Sequence, residues 1–301
     1  MIQFSGVSKT YRSWLGRTVN AVTDFSLTIN EGEVLGLAGP NGAGKSTLIG
    51  LLLGYMRPTA GSVTIHGVSP RTFIERHGIG YLSELVAIPP SWRTENALRR
   101  YALLAGIEPA RVQERVDAVV GQLGLDEHRK KLIKQLSKGN LQRVGLAQAM
   151  LHDERILILD EPTHGLDPMW TQRFRDLVGD MRRPDRVIFI ASHNLDELQR
   201  ISDRVVIIDR GRLQRVVDLK TAPTADAHTP YRIAVAAGAE HVTAVFTDAV
   251  AAGPGEFDIP DRSLETLNRE LAELLSRGTL VVSVSPVHTA LEQQFREAVA
   301  Q

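Results

Sequence analysis

The chain has 301 residues and a mass of 33.1 kDa, enough for about two domains, and 43% hydrophobic with 23% charged residues is the balance of a folded globular protein. Its 35 basic and 35 acidic side chains cancel to a formal net charge of +0, so no general attraction to nucleic acid or anionic lipid is expected. It has no cysteine, which excludes disulfides, Cys-ligated zinc, iron–sulfur clusters and thiol catalysis. No apolar run approaches the ~18 residues of a membrane span, and no charged stretch followed by an apolar one marks a secretory signal.

Strand-like pieces come first, at Ile2–Val7, Phe25–Ile29 and Val63–His66, set apart by the turn signals Asn30-Glu31-Gly32 and Thr59-Ala60-Gly61. Val34–Ala38, Ile156–Leu159 and Val187–Ala191 are short, continuous apolar runs, and Val205–Ile208 is a fourth that ends at the turn Asp209-Arg210-Gly211. Such runs predict strands buried on both faces, in a parallel sheet covered by helices. Between them, Leu98, Tyr101, Ala102 and Ala105, then Val112, Val116, Val119, Val120 and Leu123, recur at helical spacing, with Gly106 and Pro109 breaking the stretch Thr94–Gly124 into separate helices. After Arg215 a linker is expected over 216–230, because Thr221–Pro230 is a run of turn residues. A small α/β tail over 231–301 follows, with strands at Tyr231–Val235 and Leu280–Val284. One helix face there is made by Leu264, Leu267, Leu271, Leu274 and Leu275, and another by Leu291, Phe295 and Val299.

The segment Gly39-Pro40-Asn41-Gly42-Ala43-Gly44-Lys45-Ser46-Thr47 fits G-x-x-x-x-G-K-[ST], the P-loop. It follows the run Val34–Ala38 and opens a predicted helix, Lys45–Leu53, the context this motif requires. Glycines let successive amides curl toward phosphate oxygens, and a helix N-terminus adds unpaired donors and a positive dipole end. Lys45 is then expected to reach the β- and γ-phosphates of a nucleoside triphosphate, and Ser46 to ligate Mg²⁺. Two further runs end in polar residues, Ile156–Leu159 in Asp160-Glu161 and Val187–Ala191 in Ser192-His193. Because ligands gather at the carboxyl ends of parallel strands, these residues are expected at one edge. Asp160 is placed to hold the Mg²⁺ shell, Glu161 to polarise the attacking water, and His193 to contact that water or the γ-phosphate.

Between the P-loop and the acidic pair stands Leu136-Ser137-Lys138-Gly139-Asn140, ahead of a predicted helix over Leu141–Leu151. This order of motifs resembles the nucleotide-binding subunit of ABC transporters, over roughly Ile2–Arg215, and the segment looks like that family's signature. The resemblance implies a P-loop NTPase core of α/β class with a mainly parallel sheet, an N-terminal antiparallel β part, a helical insert over about 89–150 and a C-terminal α/β extension. It matches Tyr11 to the aromatic residue that stacks on adenine, Gly165-Leu166-Asp167 to the D-loop, and His193 to the switch histidine. It implies ATP and Mg²⁺ as ligands, and head-to-tail pairing with a second ATPase subunit, most simply another copy. Ser137, Lys138, Gly139 and Asn140 of one subunit would then meet the ATP held by the P-loop of the other. An integral membrane permease is the implied partner, and the inner face of the cell membrane the implied location, with no nucleic acid.

Some positions depart from the pattern. Lys138 and Asn140 stand where glycine and glutamine are usual, His164 replaces a serine before Gly165, and Glu84 stands where a glutamine would contact Mg²⁺. Glu84, the Lys-Gly-Asn signature and the closing Ala290-Leu291-Glu292-Gln293-Gln294-Phe295 look like bacterial ATPases that serve separate export permeases. An importer ATPase is the competing expectation. A soluble ABC protein acting on DNA or the ribosome fits less well, since the chain has one P-loop, no heptad run and no cysteine. The apolar, proline-flanked stretch Val86–Trp92 is expected either to meet the permease or to pack Trp92 on the helical insert.

Overall fold

The computed structural model describes residues 1–12, 18–220, 229–287 and 290–299. Their backbone falls into two units, Met1–Leu219 and Lys220–Gln301.

Early in β1 (Ile2–Arg12), buried and exposed side chains alternate, the mark of a strand with one face on a core. β2 (Thr18–Ile29) pairs with it antiparallel. β3 (Val34–Ala38) then leads through the P-loop into α1 (Lys45–Leu52), and β4 (Ala60–Ile65) returns to the other side of β1. Next come α2 (Pro70–His77) and β5 (Gly80–Leu82). The insert supplies α3 (Thr94–Leu104), α4 (Val112–Gln122) and α5 (Lys138–Met150). The first unit closes with β6 (Ile156–Asp160), α6 (Pro168–Met181), β7 (Val187–Ala191), α7 (Leu195–Ile201), β8 (Arg204–Asp209) and β9 (Arg212–Asp218).

Two sheets result, an antiparallel one in the order β2-β1-β4 and a six-stranded one in the order β5-β6-β7-β3-β8-β9. The second is parallel from β5 to β8, and only β9 runs antiparallel. Every residue of β3, β6 and β7 is buried, as their unbroken apolar runs require. One core joins the two sheets: Phe4 and Phe25 meet edge to face at 5.4 Å, and Leu48 of α1 and Phe189 of β7 belong to the same cluster. In the register, Leu37 lies beside Ala191 and Ala191 beside Asp160. Three strands therefore end level, and their loops open on one edge.

In the second unit, β10 (Thr229–Ala237), α8 (Ala239–Val245), β11 (Val250–Gly253), β12 (Glu256–Arg262), α9 (Leu264–Ser276) and β13 (Leu280–Pro286) precede α10 (Ala290–Val299). The strands form an antiparallel sheet in the order β11-β12-β10-β13, with Ile233, Phe246, Ile259, Leu267 and Leu274 in its core.

Several sequence expectations need correcting. Pairing of β9 reaches Asp218 opposite Arg204, so residues 216–218 belong to a ladder and not to the linker expected from 216. Thr229 and Pro230 already begin β10, and the remaining linker residues 221–228 lie outside the described ones. α5 starts at Lys138 and not at Leu141, because the Ser137 Oγ accepts from the Asn140 amide and caps it. Of the expected leucine face of α9, Leu264 and Leu275 are exposed.

Phe189 is 1% exposed at the centre of the sheet. Phe189→Ala is expected to destabilise the first unit by roughly 3–5 kcal/mol, read as a lower urea midpoint. A midpoint equal to that of the parent protein would show that this strand does not carry the core.

Candidate functional site

The chain leaves β3 through Gly39, where a Cβ would stand 2.5 Å from the Ile208 carbonyl oxygen. At Gly44, φ is 110° and a Cβ would stand 2.5 Å from the Ala21 oxygen, so the last turn before α1 admits only glycine. The Ala43 amide donates to Pro40 O at 3.1 Å and the Gly211 amide to Ala43 O at 2.9 Å, which ties the loop to the β8–β9 turn. Lys45 is buried, and its Nζ donates to Gly39 O at 2.6 Å and Pro40 O at 3.3 Å. The ammonium is thus held inside the loop that its own backbone forms.

A cavity of about 580 Å³ opens over this loop. Pro40, Asn41, Gly42, Gly44, Lys45, Ser46 and Thr47 line it from the loop, and Glu84, Asp160, Glu161 and His193 from the neighbouring strand ends. Asp160 is buried on β6, and its pKa is pushed up to about 6, chiefly by burial and then by the nearby charges of Glu84 and Glu161, with Lys45 opposing. The Ser46 hydroxyl and Asp160 carboxylate are hard oxygen donors of the kind Mg²⁺ accepts. Among the described residues no three or more His, Cys, Asp or Glu side chains are grouped to hold a metal.

Glu161 has a different environment. Its φ is 49°, an unusual conformation for a residue with a side chain, and the neighbouring structure holds it there. The Glu161 amide donates to Ala191 O at 2.8 Å, and Gln142 Nε2 donates to Glu161 O at 3.0 Å. Its carboxylate takes the Ser192 hydroxyl at 3.1 Å on Oε2, and on Oε1 the His193 amide at 3.0 Å, with His193 Nδ1 2.9 Å away. Each oxygen keeps lone-pair capacity for a water. Tyr11 stands apart from the cavity lining, 41% exposed, with its hydroxyl 3.1 Å from Met56 Sδ and 3.5 Å from Thr47 Oγ1.

Ser137, Lys138, Gly139 and Asn140 line a second cavity of about 390 Å³, together with Arg143 and Asp167. The two cavities share no residue. Asp167 caps α6 by accepting from the Trp170 amide at 2.8 Å, and Arg143 stacks 3.9 Å from the centre of the Trp170 ring. A wider groove of about 900 Å³, bordered by Arg115 and Arg173, contains none of the residues marked by the sequence. Sequence reasoning missed Gln142 and Arg210, and it placed Ser192 at the strand edge without a role. Gln142 and Ser192 hold Glu161 and Arg210 lines the loop cavity, contacts that only the tertiary structure reveals. Trp92 packs on the helical insert, with the Arg100 guanidinium 4.1 Å from its ring centre and Tyr101 at 6.3 Å.

A family profile described as ABC transporter matches residues 22–164. The chain is 35% identical over 221 residues to the uncharacterized ABC transporter ATP-binding protein YhcH of Bacillus subtilis, across 73% of this chain and 70% of YhcH. The chain belongs to the ABC transporter ATP-binding family. Its first unit is an ABC-type ATPase domain. Similar proteins include the uncharacterized ABC transporter ATP-binding protein all4389 of Nostoc, 37% identical across 71% of this chain and 65% of all4389, so just under two thirds of that protein's length is matched. Methionine import ATP-binding protein MetN of Ralstonia nicotianae is 33% identical across 75% of this chain and 67% of MetN. In fold, the ATP-binding cassette MJ0796, solved as a post-hydrolysis dimer bound to ADP and Pi, superposes with a TM-score of 0.68 at 23% identity, over 74% of this chain and 100% of that one.

Because the pKa of Asp160 rises from an ordinary 3.8 to about 6, folding loses free energy as pH climbs through that interval, and the full cost stands above it. Without nucleotide or divalent cation, Asp160→Asn is expected to be more stable than the parent at neutral pH by about 3 kcal/mol. The gain should shrink as pH falls from about 6 toward 4. Urea midpoints measured across this range check it; equal midpoints at neutral pH would contradict the burial argument.

Proposed function

We propose that the chain is the ATP-hydrolysing subunit of an ABC transporter, working as a head-to-tail pair of copies on a separate membrane permease. One observation carries this reading: the signature residues and the P-loop line different cavities of one chain, with no residue in common. A second copy turned head to tail would bring Ser137 and Gly139 over the triphosphate in the loop of the first. The amides at the start of α5 then face the γ-phosphate, as an anion-binding helix terminus does. ATP becomes the ligand that favours the closed pair, and its hydrolysis reopens it.

In this reading the loop amides and Lys45 hold the phosphates, and Tyr11 offers its ring to the adenine. Ser46 and Asp160 hold Mg²⁺, which when bound neutralises charge on the β- and γ-phosphates. Glu161 takes the proton of the attacking water, and His193 orients that water or the γ-phosphate. Asp167 stands at the surface where the copies meet. The acidic Glu84 acts on Asp160 through its charge, which distinguishes it from an amide at the same place.

The permease would dock on the helical insert and on the segment at Glu84, where Leu104 and Leu85 in turn are each 80% exposed. No helix among the described residues is long and apolar enough to cross a membrane, so the proposed place at the inner face of the cell membrane depends on the partner. Export is favoured by Glu84, the Lys-Gly-Asn signature and the final amphipathic helix. Import is the second reading, favoured by the likeness to MetN. Purification with its neighbours tests the assignment. A polytopic membrane protein without an ATPase of its own is expected, and recovery of ribosomes or DNA instead would overturn it.

Lys45→Ala is expected to abolish ATP turnover, because the ammonium aimed at the phosphates is lost; unchanged turnover would overturn the P-loop assignment. Glu161→Gln is expected to bind ATP, to hydrolyse it at least about 100-fold more slowly, and to accumulate as a dimer in size-exclusion chromatography. Parent-like hydrolysis would assign the water to another residue.

A further inference from the structure

Among the described residues, five that are not glycine have a positive φ, and Glu161 is the one of them that is buried; Asp24, His66, Asp153 and Arg210 are exposed. The next residue is Pro162, and the residue before a proline is ordinarily pushed to extended backbone, with φ of about −120°. At 49°, Glu161 is therefore held against both its own side chain and the ring that follows it. An exposed turn can relax from such a state, whereas a buried one persists only where its neighbours over-determine it.

Three bonds hold the Glu161 backbone. Its amide donates to Ala191 O of β7 at 2.8 Å, and its carbonyl oxygen accepts from the His164 amide of the same turn at 3.1 Å. The third bond comes from α5. Gln142 Nε2 donates to Glu161 O at 3.0 Å and to Pro162 O at 3.3 Å, so one side-chain amide clamps two consecutive carbonyls. Gln142 is 5% exposed and is followed on α5 by Val144, Gly145, Leu146 and Ala147, all buried. An amide in such surroundings costs free energy unless it is bonded, and these two carbonyls are its acceptors. Gln142 does not line the loop cavity. The Glu161 carboxylate is thus gripped from the end of β7 by Ser192 and His193, and the Glu161 backbone from α5 by Gln142.

We propose that Gln142 is the positioning residue of Glu161: its amide holds the Glu161–Pro162 turn in the positive-φ conformation that brings the carboxylate to Ser192 and His193. The inference rests on the reading of Glu161 as the base. Without the clamp, the strain at Glu161 relaxes toward extended backbone. The carboxylate then leaves the Ser192 hydroxyl and the His193 amide that orient it. A base misplaced by about 1 Å loses on the order of a hundredfold in rate. Gln142 has no place among the residues around the phosphates, so it acts on turnover through the residue it holds and leaves nucleotide binding alone.

The full chain is assayed for single-turnover ATP hydrolysis and for equilibrium ATP binding, with circular dichroism confirming that each variant is folded. Gln142→Met keeps the length of the side chain and removes both donors. Its hydrolysis rate is expected to fall at least about tenfold, with the ATP dissociation constant within about twofold of the parent. In the Glu161→Gln background the same substitution should change the residual rate by less than about twofold, because residues that act through one group are not additive. Gln142→Asn, which keeps the amide on a stem one methylene too short to reach both carbonyls, is read in the same way should the methionine variant fold poorly. Parent-like hydrolysis by these variants, or a loss confined to ATP affinity, would overturn the inference. So would an equal fold loss with and without the Glu161 carboxylate, the mark of a merely structural residue. Parent-like hydrolysis by Glu161→Gln itself would overturn the reading of Glu161 as the base, and the inference with it.

Discussion

The chemistry of the first unit depends on three buried strands ending level. β3, β7 and β6 are neighbours in that order, locked in register with Leu37 beside Ala191 and Ala191 beside Asp160. Slipping one strand by a residue would exchange the side chains packed on its two covered faces and carry the loop that follows it away from the others. Burial on both faces makes such a slip costly, so the register that serves the core also fixes the place of Gly39, Asp160 and Ser192. The edge that carries the candidate site is therefore a consequence of packing, and its precision is inherited from Leu35, Phe189 and Ile158, none of which lines the cavity.

On that edge two adjacent carboxylates are given opposite surroundings. Asp160 is desolvated and faces two further acidic groups, so its proton is held up to about 6 and a nearby cation is strongly favoured. Glu161 turns through a positive φ into a ring of donors from Ser192 and His193, which steady the carboxylate while leaving room for water. Neighbouring carboxyls whose environments differ in this way can take separate tasks, one toward a metal and one toward a proton. Lys45 belongs to the same economy of charge. Its ammonium is satisfied by loop carbonyls, so the loop keeps its shape and its cation together.

The parts readable from sequence were those written in local pattern. Unbroken apolar runs announced β3, β6 and β7, and Gly106 with Pro109 divided α3 from α4. The glycines of the P-loop were informative because two of them meet backbone too closely for any side chain. Short strands such as β5, β11 and β12 escaped, since 3, 4 and 7 residues carry too little alternation to stand out from loops. α5 begins earlier than its apolar pattern because the Ser137 cap, which acts over one turn, outweighs the poor helix propensity of Gly139 and Asn140. The bonds that hold Glu161 were hidden for another reason: Gln142 lies 19 residues away and Ser192, although its strand puts it at the right edge, lies 31, distances at which only the folded chain makes the bond.

His164 and Gly165 are consecutive, yet one lines the loop cavity and the other the signature cavity. A displacement of this segment by a bound phosphate must therefore be felt on both sides, because the positive φ of Gly165 and its close approach to Lys138 leave little slack between them. In a head-to-tail pair each such segment would sit between two nucleotides, its own and the one it helps to cover. The two sites of the pair would then be mechanically connected through the D-loop backbone without any long pathway. Occupancy at one site could alter closure at the other by the same contacts that close it. In the proposed pair, cooperativity between the sites would follow from the fold itself, with a strength set by how tightly residues 164–167 are packed against the start of α5.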